Sequence, residues 1–325
     1  MFSHELQKAI AAMNNLGKDR IPFLFVIDYE TKTPVVIKLS DVGKNILYKV
    51  SETKNYSSVP EIQKELSFNK FPIDYNIYLA AFGKVMDNIK NGNTYLLNLT
   101  CPTKTQTNYS TEEIFYFSNA KYKLLFENKF VVFSPETFVQ IKNGKIRSCP
   151  MKGTIDASII NAKEKLLGDE KELAEHNTIV DLIRNDLSIV AKNVKVEKFR
   201  YVDEIKTSSK TLLQTSSLII GDLEDNYHEC IGTIIFSLLP AGSISGAPKK
   251  KTLEIIKEAE NYPRNYFTGI FGIFDGSDLD SAVMIRFIEN IDGELNFKSG
   301  GGITSMSNPE SEYQEMIDKV YVPII

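Results

Sequence analysis

The chain has 325 residues, 42% hydrophobic, 25% charged and 10% aromatic. That supplies a sizeable core and excludes a disordered or low-complexity protein. Its formal net charge is −4 and no basic stripe runs through it, which argues against nucleic acid as a partner. The three cysteines, Cys101, Cys149 and Cys230, form neither a disulfide framework nor a zinc spacing, so a reducing, cytoplasmic setting is expected. No apolar run approaches the ~20 residues that span a membrane, so no membrane contact is expected.

In chain order, Phe2, Leu6, Ile10 and Met13 recur at helical spacing with Glu5 among them, an amphipathic helix packed on the body and not a signal peptide. Residues 22–50 read as a short meander: Phe23 to Ile27, Pro34 to Ile37, then Ile46 to Tyr48. Residues 51–72 are polar and irregular, a loop region. Tyr78, Phe82, Val85 and Ile89 predict a helix over 75–89, closed by Asn91-Gly92. Tyr95 to Leu99, Phe130 to Phe133, Phe138 to Ile141 and Ile146 are strand-like. A helix over 169–187 turns Leu173, Ile179, Leu182, Ile183 and Leu187 inward.

Another helix starts at Pro248, a residue favoured in a first turn, and runs to about Asn261. Its cationic run, Lys249-Lys250-Lys251, reads as a solvated face. Phe267 to Phe274 and Ser281 to Ile291 are strands joined by the polar turn 275–278, and Asp292-Gly293 signals a hairpin into Leu295 to Phe297. The last helix starts near Pro309 behind a capping signature, Ser307 with Glu310 three residues on. Hairpin strands with separate helices mean an α+β fold, not a doubly wound sheet. We divide the chain into a short N-terminal α/β extension, 1–72, and one continuous catalytic unit, 73–325.

Two tempting motifs fail. The run from Gly242 to Lys249 lacks the P-loop spacing, and the acidic turn at 275–280 lacks the glycine and final glutamate of an EF-hand. The carboxylates are more pointed. Glu172 and Glu175 are three apart and share a helix face, with His176 beside them; Glu312 and Glu315 repeat the device on the last helix, with Lys319 one turn on. Such pairs are either solvated helix faces or a hard-cation site; Mg²⁺ takes oxygen ligands, usually one or two protein carboxylates with water and substrate. Ser299-Gly300-Gly301-Gly302, between a strand and that helix, is either an amide nest for an anion or a bulged strand end. Arg286, mid-strand in an apolar run, either pairs with an internal acid or clamps a substrate carboxylate. Lys152, in a loop just after a strand and flanked by Pro150, Gly153 and Thr154, is either a solvent charge or a nucleophile with the acid Glu136 nearby.

Taken together and in order, these motifs resemble the chorismate-utilising enzymes, the family of anthranilate, aminodeoxychorismate, isochorismate and salicylate synthases. The resemblance covers about residues 75–323. It rests on Ser134-Pro135-Glu136, on Pro150 to Thr154, and on Lys171-Glu172-Leu173-Ala174-Glu175-His176 followed by Val180-Asp181-Leu182 and Arg184 to Leu187. It also rests on Pro240 to Lys249 and on the tail from Gly300 to Glu315. It implies antiparallel or mixed sheets packed with helices outside. It implies that Glu175 and Glu312 ligate Mg²⁺, with Glu172 and Glu315 beside them, and that the metal holds the ring carboxylate of chorismate. Arg286 and the amides of Gly301 and Gly302 would hold the enolpyruvyl carboxylate, and Lys319, Thr154 and Ser243 would complete the lining.

Within the family, the resemblance implies that a lysine at the position of Lys152 attacks ring carbon 2 in the aminodeoxychorismate branch, with Glu136 as general acid. Isochorismate and salicylate synthases instead carry a water-activating lysine at the position that Leu96 matches. The branch serves 4-aminobenzoate and folate synthesis. Ammonia would come from a separate glutamine amidotransferase subunit, since this chain carries no amidotransferase motif. Three features depart from the pattern: Gln214 stands where a histidine is common, Phe267 where tyrosine or tryptophan is usual, and the tryptophan-binding segment of the regulated enzymes is not found.

Overall fold

The computed structural model describes residues 4–206 and 211–324. Phe2, the first apolar position of the expected N-terminal helix, and Ile325, the end of the catalytic unit as divided above, lie outside the described residues. Helix α1 (His4–Lys18) buries Leu6, Ala9 and Met13. Strand β1 (Phe23–Ile27) is buried at all five positions; since side chains alternate between faces, such a strand must be covered on both sides. Strand β2 (Val35–Lys38) pairs with it. The expected meander stops there, because β3 (Ile46–Val50) joins a different sheet.

The stretch read as a loop holds two short strands, β4 (Thr53–Lys54) and β5 (Phe68–Phe71). Neither has apolar alternation to betray it. They form because main-chain partners are at hand, as where the Asn55 amide bridges Tyr48 N and Ile46 O. Helix α2 (Tyr75–Lys90) is capped by Asp74. Strand β6 (Leu96–Thr107) and helix α3 (Thr111–Phe117) lead into β7 (Tyr122–Phe126) and β8 (Phe130–Ser134). Strands β9 (Thr137–Lys142), β10 (Lys145–Ser148) and β11 (Met151–Asp156) follow.

Helices α4 (Ala162–Gly168) and α5 (Glu170–Leu187) precede a long hairpin of β12 (Lys192–Lys206) and β13 (Thr211–Asp222). Helix α6 (Ile231–Ser237), strand β14 (Gly246–Ala247) and helix α7 (Lys249–Ala259) come next. Pro248 is the N-cap of α7, one position before the expected first turn. Strands β15 (Ile270–Phe274), β16 (Leu279–Val283), β17 (Phe287–Ile291) and β18 (Glu294–Ile303) lead to α8 (Pro309–Asp318). The α8 cap is Asn308, whose side chain accepts from Ser311 N; Ser307, the expected cap, accepts from Thr304 N instead.

Among the described residues the strands form two nine-stranded antiparallel sheets, an α+β architecture with helices outside. The first runs β11-β13-β10-β9-β16-β15-β1-β2 with β12 also on β13; the second runs β14-β6-β18-β17-β8-β7-β3-β4 with β5 also on β6. The sheets face each other across one buried cluster: Leu24, Val26 and Phe271 of the first meet Tyr48, Leu124, Val132 and Phe287 of the second. Full burial of each such side chain is worth about 1.5–3 kcal/mol. Outside the first sheet, Phe23 and Phe25 meet Met13 of α1, Ile179 and Ile183 of α5, and Ile235 of α6. Outside the second, Leu97 and Leu99 meet α2, α7 and α8 through Tyr78, Ile255 and Met316.

Residues 281–291 are not one strand. The chain changes sheets between Val283 and Phe287, with Arg286 at φ 52° in the left-handed region. Both halves are apolar, so composition does not reveal the break, and Arg286 sits at a corner and not in mid-strand. The glycines 300–302 likewise lie within β18, paired with Thr100, Leu99 and Asn98 of β6. A Cβ at Gly300 would stand 2.2 Å from the Leu99 carbonyl oxygen, closer than any real contact. We therefore expect Gly300→Ala to lower stability by about 2–3 kcal/mol or more. Gly83→Ala, in α2 with nothing within 4 Å of the new methyl, should raise it by about 0.5–1 kcal/mol. Thermal unfolding of the two variants checks both signs.

Candidate active site

Helix α5 is capped by Asp169, whose carboxylate accepts from Glu172 N; this starts the helix where Lys171, Glu172, Glu175 and His176 follow in its first turns. Helix α8 presents Glu312 and Glu315, with Lys319 just past its end. Between these helices runs the glycine stretch of β18. A Cβ on Gly301 would lie 3.6 Å from Glu312 Oε2, 3.6 Å from Lys319 Nζ and 3.7 Å from Glu315 Oε1. One on Gly302 would lie 3.4 Å from Lys152 Nζ and 3.6 Å from Glu175 Oε2. Three carboxylates and two lysines thus converge on one glycine floor. Side chains there would fill the space, and glycine keeps it open.

Lys152 lies on β11 itself, not in a loop after a strand. The β11–β13 register shifts between Lys152 and Thr154, around Gly153 at φ 69°, a bulge that re-aims the side chains beside it. The Thr215 hydroxyl donates to the Lys152 carbonyl and Gln214 donates to Thr154 Oγ1 at 3.2 Å. Lys152 Nζ pairs with Glu175 Oε2 at 2.9 Å. Lys171 Nζ sits 2.8 Å from Glu312 Oε1 and 3.9 Å from Glu175 Oε1, and Lys319 Nζ is 2.7 Å from Glu315 Oε1 and 2.9 Å from Gly300 O. Glu175 and Glu312 are buried, 5% and 4% exposed, so these pairings are electrostatically strong.

Burial alone would depress the Lys152 ammonium, but Glu175, Glu172 and Glu315 outweigh it and hold it above the ordinary lysine value. For Lys171 too, burial is outweighed, by Glu312 and Glu175, and its value is raised. Glu172 is pushed up by burial and by Glu175. Glu315, despite burial, is held below the ordinary range by Lys319.

Glu136 stands between β8 and β9, its amide donating to Ser134 Oγ at 3.1 Å. Burial raises its carboxyl above the ordinary range, against the Ser243 hydroxyl, which donates to it, and the positive charges of Lys152, Arg286 and Lys319. Ser243 belongs to a 3₁₀ turn, Gly242–Ile244. That turn is followed by Lys249, which reaches both carboxylate oxygens of Asp186 on α5 at 2.8 Å. Lys249 is therefore a part-buried tie between motifs, not part of a solvated face. Arg286 lies over the Tyr321 ring at 5.5 Å. Leu96 is buried and its Cδ1 would stand 3.1 Å from a Cβ on Gly302. Phe267 is buried against Phe287, 5.8 Å between ring centres. An open groove of about 1050 Å³ begins at Thr154, Glu315 and Lys319.

Sequence reasoning assigned no separate role to Lys171, although its place four residues before Glu175 was the available signal. It also missed the support of His176. That ring is fully buried, its Nε2 2.6 Å from Ser217 Oγ, which accepts from Arg200 N at 2.9 Å.

No group of three or more His, Cys, Asp or Glu with metal-site geometry occurs among the described residues. The donor set still suits a hard cation. Two buried carboxylates from separate helices point at one ammonium, and Mg²⁺ commonly takes only one or two protein carboxylates.

The family model for chorismate binding enzymes matches residues 23–324, and the chain belongs to that family. It is 49% identical over 98% of its length, and 99% of the relative, to a Pasteurella multocida protein named as PabA-like and uncharacterised. It is 33% identical to aminodeoxychorismate synthase component 1 of Salmonella typhimurium, over 75% of this chain and 56% of that one. The menaquinone-specific isochorismate synthase of Escherichia coli shares the fold at TM-score 0.73 and 15% identity, covering 96% of this chain and 80% of that one.

Burial, with Arg200 and Lys152 nearby, lowers His176 from 6.5 to about 4. A depressed folded value means its contribution to stability is present above pH 6.5 and is lost as pH falls through about 4. The difference in denaturant midpoint between wild type and His176→Asn should shrink over that window. A constant difference from pH 7 to 4 would show that the ring does not stay neutral on folding.

Proposed function

We propose that the chain is the ammonia-using component of an aminodeoxychorismate synthase, converting chorismate and ammonia to 4-amino-4-deoxychorismate in 4-aminobenzoate and folate synthesis. The observation that carries this reading is Lys152. It is an amine three-quarters buried against the glycine floor, paired with Glu175 and acting on the carboxyl of Glu136. The Salmonella relative's name supports the same branch. The buried alkyl chain of Leu96 has no group that could activate water, which disfavours the isochorismate reaction.

In this mechanism neutral Lys152 Nζ forms a bond to ring carbon 2, the ring double bond shifts, and the carbon 4 hydroxyl departs with a proton from Glu136. Ammonia then bonds to carbon 4, the double bond returns, and the Nζ–carbon 2 bond breaks. Glu136 suits an acid because burial keeps its proton on to higher pH than an ordinary glutamate. Arg286, Lys319 and the amides of Gly301 and Gly302 would hold the carboxylates of chorismate, and the hydroxyls of Thr154 and Ser243 would line the ring.

Making a lysine of reference pKa neutral at pH 7 costs about 4–5 kcal/mol, and Glu175 adds to that cost. Glu175 and Glu312 would hold Mg²⁺, with Glu172 and Glu315 beside them; the bound ion supplies positive charge for the ring carboxylate and takes up that of Glu175. Ammonia would be delivered by a separate glutamine amidotransferase subunit, so ammonium salts should support turnover by the chain alone.

The test is to incubate the chain with chorismate, Mg²⁺ and ammonium at mildly alkaline pH and read product masses. Aminodeoxychorismate without pyruvate is expected. Lys152→Ala should lose at least a hundredfold in rate, and Glu136→Gln about 10²–10⁴-fold. Anthranilate with pyruvate would place the chain in another branch, and no turnover would make it a binding protein. A fully active Lys152→Ala would remove the covalent step.

A further inference from the structure

We propose that Lys171 is a resident counter-cation: its ammonium holds the place between Glu175 and Glu312 that a divalent cation takes, and the cation must displace it. The inference rests on reading those two glutamates as cation ligands. Two carboxylates, 5% and 4% exposed, cannot face each other uncompensated in a low-dielectric site. Lys152 meets Glu175 alone, at 2.9 Å; Lys171 reaches both, at 2.8 Å from Glu312 Oε1 and 3.9 Å from Glu175 Oε1.

The lysine is also misplaced for its own helix. It lies in the first turn of α5, where the helix dipole disfavours a cation, so the glutamates and not the helix explain its position. Its side chain is 36% exposed, and four flexible methylenes can swing the ammonium to solvent. Lys152, by contrast, is 25% exposed and lies beside Leu96 over the glycine floor.

Two consequences follow. Without a divalent cation, Lys171 ties α5 to α8. With one, the cation competes against a tethered ammonium, which keeps cation affinity low until an anionic substrate adds ligands and charge of its own.

Manganese is the probe. Binding of Mn²⁺ to the full chain without chorismate is read by the electron paramagnetic resonance signal of the free ion, and thermal unfolding is followed with and without Mn²⁺. Lys171→Met, which keeps the stem and removes the charge, should bind Mn²⁺ at least tenfold more tightly than wild type. It should also melt several degrees lower when metal-free and recover when Mn²⁺ is added. Lys171→Arg, which keeps the charge, should bind like wild type. Should the methionine variant not fold, Lys171→Gln gives the same comparison.

Equal or weaker Mn²⁺ binding by the uncharged variants, with binding still abolished by Glu312→Gln, would overturn the role of Lys171 alone. Absence of binding in every variant, or binding untouched by Glu312→Gln, would overturn the cation reading and this inference with it.

Discussion

The constraint that organises this site is the burial of like charges. Glu175 and Glu312 stand on separate helices, 137 residues apart in sequence, and are almost wholly removed from water. Removing one partner of such a buried pairing typically costs about 3–5 kcal/mol. The chain answers with ammoniums: Lys152 and Lys171 on Glu175, Lys171 on Glu312, and Lys319 on Glu315. These pairings tie β11 to α5 and α5 to α8. Gly301 and Gly302 of β18 border the same groups, and a larger side chain there would take up the space they share.

The sandwich makes that convergence possible. Strand β11 belongs to the first sheet and β18 to the second, so the nucleophile candidate and the glycine floor approach from opposite layers. Arg286 sits where the chain crosses from one layer to the other. The backbone corner therefore places its guanidinium within electrostatic reach of Glu136, at the Ser134–Thr137 link between β8 of one sheet and β9 of the other. The Lys249–Asp186 pair anchors the turn bearing Ser243 to α5. The hydroxyl that donates to Glu136 is thereby fixed to the same helix as the glutamates.

What was legible in the sequence was whatever has a period or an ordered motif. The helix with Tyr78, Phe82, Val85 and Ile89, the buried run Phe23–Ile27 and the Asp292-Gly293 hairpin were all readable, the last with positive φ at both residues. What was not legible depends on partners remote in sequence. β4 and β5 lack alternation and exist because other strands offer hydrogen bonds. The break at Arg286 is invisible because both flanks are apolar. Lys249 looks like a surface charge until Asp186, 63 residues away, is brought beside it. The same holds for the site: its carboxylates stood out by spacing, but which ammonium meets which carboxylate is a property of packing alone.

These pairings also bear on how a charged substrate enters. Glu172, Glu175, Glu312 and Glu315 bring four formal negative charges, and Lys152, Lys171, Lys319 and Arg286 bring four positive ones. A dianion entering alone would unbalance this set, and a divalent cation alone would do so in the opposite sense. Entering together they add no net charge, and Coulomb costs of several kcal/mol at protein-like dielectric are avoided. A lysine held protonated by a glutamate is a poor nucleophile, and it loses that hold only when the glutamate's charge is taken up elsewhere. On the proposed mechanism the resting ion pairs would keep the amine inert until substrate and cation arrive, so the contacts that stabilise the buried glutamates would also guard the chemistry.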